Sequence, residues 1–117
     1  MSVGLDTNIL CYAMDSAYLE HAACRKLLLN LSSNFRVGLN PTIIHETYHT
    51  LVFGQKWVLD EARKKLSMIL QHPYVEFYNQ TKRTCAVALA IAVERKLGGR
   101  DSLILANFIT NKTPTLY

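Results

Sequence analysis

Several kinds of segment are missing from this 117-residue chain. It has no apolar run long enough for a membrane span, which takes about 20 residues. The longest, CAVALAIAV from Cys85 to Val93, is about half of that length, so no membrane partner is expected. The opening MSVGLDTNIL has no basic n-region and carries Asp6, and no signal peptide is expected. No repeat, linker or low-complexity stretch interrupts the chain, which reads as a single domain over residues 1–117. Cysteine is scarce: Cys11, Cys24 and Cys85 are odd in number, lack metal-ligand spacing and each sit among apolar residues. They read as buried free thiols in a reducing, cytoplasmic setting.

What is present is ordinary globular composition, half hydrophobic and 19% charged. The net charge of +4 suits a polyanionic partner, although a merely basic surface would give the same value. Short apolar runs alternate with helical periodicity. Strands are expected at Ser2 to Leu5, Phe35 to Leu39, Tyr74 to Tyr78 and from Pro114 to Tyr117. Helices are expected at Tyr18 to Leu31, with an apolar stripe of Leu19, Ala22, Ala23, Leu27 and Leu31, and from Asn40-Pro41 to Phe53. Three more follow, at Val58 to Leu70, at Thr81 to Leu97 (largely buried and closed by Gly98-Gly99) and at Asp101 to Ile109. Alternating strands and helices indicate an α/β domain around a mostly parallel sheet, with ligands at the carboxyl ends of its strands.

Most carboxylates, Asp15, Glu20, Asp60, Glu61, Glu76 and Glu94, have polar or basic neighbours and read as solvated. Three do not. Asp6 ends the first strand between VGL and TNIL, where an isolated carboxylate is costly unless paired or bonded; the simpler role is to cap the following turn through the amides of Asn8 or Ile9. Glu46 shares a helix face with Thr42, Ile43, Thr50 and Phe53. Asp101 begins a helix, where Asp is common for capping alone. A parallel sheet can bring these three acids to one edge. Clustered carboxylates then require a counter-cation, and Mg²⁺ or Mn²⁺ suits hard oxygen ligands.

VGLDTNIL, PTIIHETYHTL and GGRDSLILANF, in that order and spacing, resemble the three motifs of PIN-domain nucleases. The small size resembles VapC-type toxin ribonucleases. The resemblance implies a three-layer α/β/α domain with four, natively five, strands. It also implies metal-dependent hydrolysis of RNA to 5′-phosphate and 3′-hydroxyl products, with Asp6, Glu46 and Asp101 as catalytic metal ligands. Thr7 and Asn8 would then support the site carboxylates, and Arg100, Lys96 and Arg95 are candidate phosphate contacts. An antitoxin partner and a homodimer are family expectations. One departure concerns the C-terminus: the family carries a further acidic cluster after the fourth strand, whereas this chain ends at TPTLY, so a C-terminal segment is expected to be missing. A PIN-fold binding module that does not cut is the competing expectation.

His45, Glu46 and His49 also match H-E-x-x-H, the zinc-peptidase signature. Zincins need a third protein ligand, and only His72, directly before Pro73, follows as a histidine. The two histidines are therefore expected to flank Glu46 without sharing a metal.

Overall fold

The computed structural model describes residues 2–111 and 115–116. Four strands, β1 (Ser2–Gly4), β2 (Arg36–Leu39), β3 (Val75–Phe77) and β4 (Thr115–Leu116), form one sheet in the order β3-β2-β1-β4. Every neighbouring pair is parallel. Pro114 and Tyr117, the expected ends of β4, lie outside the described residues. Parallel strands are short and apolar because both of their faces are covered. Val3, Val37 and Leu39 are accordingly fully buried, together with Leu5, Leu10 and Ile43. Two glycines make close packing possible. A Cβ on Gly4 would come within 2.8 Å of the Phe108 ring, and one on Gly38 would run into the Tyr78 ring. The chain leaves β1 toward β2 on one side and later returns to place β4 on its other side. The carboxyl end of β1 therefore lies at the switch in strand order, where such sheets bind ligands.

Among the described residues, six α-helices connect the strands: α1 (Thr7–Met14), α2 (His21–Leu29), α3 (Pro41–His49), α4 (Leu59–Leu70), α5 (Lys82–Arg95) and α6 (Gly99–Thr110). The Asn40-Pro41 start forms as expected: Asn40 Oδ1 accepts from Ile43 N at 3.0 Å, and Pro41 occupies the first turn. The remaining differences from the sequence reading each have a local cause. Residues 7–14, to which the sequence reading assigns no helix, form the two-turn helix α1 under an Asp6 cap. The helix expected to reach Phe53 changes to a π-helical turn at Thr50–Gly54, with Gln55 N bonded to Thr50 O at 3.0 Å. Leu19, expected in the apolar stripe of α2, precedes that helix and is 99% exposed. α5 buries only Thr84 and Ala88 while Leu89 and Val93 are exposed, because a helix with apolar residues on all sides has only one side against α6. Its end is a left-handed Lys96 with φ 54°; Gly98 and Gly99 start α6 instead of closing α5.

Two further expectations are corrected. Asp15 is buried: its Oδ2 accepts from the Trp57 indole at 2.8 Å and its Oδ1 from Ala17 N at 2.9 Å. Of the cysteines, only Cys11 is buried, Cys24 is half-buried and Cys85 is exposed on α5. Burial pushes the Cys11 thiol above its ordinary pKa, an effect that hydrogen bonds with Thr47 and Thr50 partly offset.

Candidate active site

Asp6 leaves β1 in an extended conformation and caps α1, its Oδ1 accepting from Thr7 N at 2.8 Å. The capping role anticipated for it is present, with Thr7 as donor in place of Asn8 or Ile9. The buried Thr7 hydroxyl faces the next acid, donating to Glu46 Oε2 at 2.8 Å. Thr7 thus ties the end of β1 to the middle of α3. Glu46 is half-buried, with 20% of its side chain exposed. Its Oε1 is shielded from solvent and receives no hydrogen bond of good geometry, although Arg100 Nε forms an ion pair with it at 3.1 Å. That contact balances charge but leaves a buried carboxylate oxygen short of a directed partner.

Arg100 and Asp101 lie in the first turn of α6, where the helix dipole favours an acid. The position of α6 relative to α3 is set by a buried amide pair. Asn40 Nδ2 donates to Asn107 Oδ1 at 3.1 Å, and Asn107 Nδ2 donates to the carbonyls of Tyr78 and Asn79 at 3.1 and 3.3 Å. Asn40 caps the helix that carries Glu46, and Asn107 belongs to the helix that carries Asp101. One network therefore aligns both acids.

The result is a cavity of about 290 Å³ lined by Asp6, Thr7, Asn8, Glu46, Thr50, Arg100, Asp101 and Ile104. It brings together all three expected acids, both of their expected polar supports and Arg100. Arg95 and Lys96, at the exposed end of α5, do not line it. Thr50 was legible only as a neighbour of Glu46 on the helix face. Ile104, one turn beyond Asp101, looked like any other apolar helix residue.

A donor set made of oxygen, with one buried oxygen lacking a directed partner, fits a hard divalent cation. The carboxylates share the cavity without forming a ready-made three-ligand group among the described residues. Arg100 is the cation next to Glu46 in this arrangement. His45 and His49 are exposed on either side of Glu46 and belong to no such group either. Among the described residues, no helix is long and apolar enough to cross a membrane.

Comparison with known proteins agrees with this architecture. The PIN domain family model matches residues 3–116, so the chain belongs to the PIN domain family. Among solved structures it is similar to VapC20 of Mycobacterium tuberculosis, described as a sarcin-ricin-loop-cleaving toxin. The TM-score is 0.80 at 16% identity, over 98% of this chain and 87% of that one. It is also similar to a chain of VapBC2 from Rickettsia felis bound to a promoter DNA fragment, with a TM-score of 0.70 at 19% identity over 99% and 85% of the two chains. A toxin–antitoxin complex from Klebsiella pneumoniae matches with a TM-score of 0.64 at 20% identity, over 97% and 82%. A search of curated proteins finds no match.

Proposed function

We propose that the protein is a metal-dependent endoribonuclease and the toxin of a toxin–antitoxin pair. The observation that carries this reading is the single cavity lined by Asp6, Glu46 and Asp101, at the strand-order switch of a PIN domain. In this reading the three carboxylates hold Mg²⁺ or Mn²⁺, which when bound supplies activation of water and neutralisation of charge on the scissile phosphate. Thr7 keeps Glu46 oriented through its 2.8 Å hydrogen bond, so the carboxylate needs little reorganisation to act as a ligand. Asn8 lines the same cavity as a polar support. Arg100 can turn its guanidinium from Glu46 to an RNA phosphate oxygen, the kind of partner that Arg binds best. Arg95 and Lys96 are left to the more distant strand, where they would add charge without contacting the reacting phosphate.

An antitoxin partner is supported by the similarity to chains from toxin–antitoxin complexes. Self-association as a homodimer, in the cytoplasm, is part of the same proposal. The Arg100–Glu46 ion pair favours one other reading, a PIN-fold module that binds RNA or an antitoxin without cutting, since the acid already has a cation. The two are separated by incubating single-stranded RNA with the protein and Mg²⁺ or Mn²⁺. Cleavage that disappears with EDTA supports the nuclease; RNA that is bound but left intact with either ion supports the module.

A further inference from the structure

The H-E-x-x-H histidines have no role in the carboxylate cavity, but they line a second cavity beside it. This one measures about 390 Å³ and is lined by Thr42, His45, Glu46, His49, Thr50 and Arg100. Three of these residues, Glu46, Thr50 and Arg100, also line the acidic cavity. The two spaces therefore adjoin across the Glu46–Arg100 pair. Their chemistry differs: the first collects carboxylates, and the second collects two exposed imidazoles and a guanidinium.

The π-helical turn at Thr50–Gly54 continues this surface. It leaves Phe53 60% exposed, with its ring 4.9 Å from that of His49 at an interplanar angle of 40°. Phe53 thus offers an exposed ring beside the His49 imidazole on the same surface as the second cavity. Directly beyond it, Lys56 adopts φ 62° and its Nζ donates to the Phe53 carbonyl at 3.2 Å. Aromatic faces interleaved with cations are what a single-stranded nucleic acid uses: bases stack on the rings while phosphates meet the charges.

We propose that His45, His49, Phe53, Lys56 and Arg100 form a track for single-stranded RNA leading out of the carboxylate cavity. A base flanking the cleaved bond stacks on the Phe53–His49 pair. Arg100 and His45 receive the intervening phosphate, and Lys56 meets the next. The inference rests on the nuclease reading and adds to it that the substrate is single-stranded on this side of the cut, because a paired base could not reach Phe53.

The test is the affinity of fluorescein-labelled single-stranded RNA, measured by anisotropy in EDTA so that nothing is cleaved. Phe53→Ala is expected to weaken binding roughly tenfold, a typical loss for one stacked base, and Phe53→Trp to restore it. Lys56→Ala is expected to reduce the salt dependence by about 0.7 in log–log slope, one phosphate contact on a single strand. Phe53 is exposed, so both of its variants should unfold at the wild-type midpoint. Wild-type affinity in Phe53→Ala overturns the track; if the wild type still cleaves with Mg²⁺, the nuclease reading survives that result. A Phe53→Ala protein that loses self-association in sedimentation but keeps its RNA affinity makes this a protein interface and also overturns the track. Absence of both RNA binding and cleavage in the wild type removes track and nuclease together.

Discussion

Replacing Asn107 with alanine should damage the protein more than any surface change, because it dismantles the network that aligns α3 with α6. Asn107 is fully buried and takes part in three side-chain hydrogen bonds: one from Asn40 Nδ2 and two to the carbonyls of Tyr78 and Asn79. Each is worth about 1 kcal/mol net, and each partner left buried without a substitute costs about 1–3 kcal/mol. The change should therefore cost about 3–5 kcal/mol, a large part of the roughly 5–15 kcal/mol that holds a domain together. Asn107→Leu should fare no better, since filling the volume does not satisfy the three polar partners. Urea unfolding followed by the fluorescence of Trp57, the only tryptophan, measures this directly. A second consequence is functional: with α6 free to shift against α3, Asp101 and Glu46 lose their common alignment, and metal affinity should fall at urea concentrations where the variant is still folded. A loss below about 1 kcal/mol in both variants would refute the argument that this amide network is unsatisfied without Asn107.

Other changes test separate parts of the structure. Glu46→Gln removes the carboxylate next to Arg100 and should weaken Mn²⁺ binding in titration calorimetry by about tenfold or more, as the loss of a charged ligand would. Gly38→Ala drives a methyl group into the Tyr78 ring and should destabilise by about 1–3 kcal/mol, measured by the same urea unfolding. Iodoacetamide should label Cys85 first and Cys24 next. Cys11 should resist, because its burial keeps the thiol protonated, and its labelling should rise only as pH exceeds the raised pKa or as the protein unfolds.

Much of this arrangement was legible because its signals are local and strong. Asn40-Pro41 declares a helix start whatever surrounds it, and alternating apolar runs declare a parallel α/β sheet. Asp6, Glu46 and Asp101 were recognisable jointly, from the order of their motifs, although each alone had an adequate capping or surface explanation. Asp6 in fact does both, capping α1 while lining the cavity. What was hidden depended on contacts distant in sequence. Asp15 looked solvated beside Ser16 because its partner Trp57 lies 42 residues away. Cys85 and Leu89 looked buried because an all-apolar helix gives no sign of which side α6 will cover. The Arg100–Glu46 ion pair, and with it the second cavity, joins residues that share no pattern in the chain. The switch from α- to π-helix at Thr50 likewise followed no recognisable breaker, since Gly54 comes at its end.

The most direct test of the account is cleavage of single-stranded RNA by the wild type and by Asp6→Asn, with Mg²⁺ or Mn²⁺ and with EDTA. Asp6→Asn keeps an oxygen that can cap Thr7 N, so the fold should persist while the ligand charge is lost. The expected result is metal-dependent cleavage by the wild type, abolished by EDTA and by the substitution. Undiminished cleavage by Asp6→Asn would contradict the assignment of this cavity as the active site.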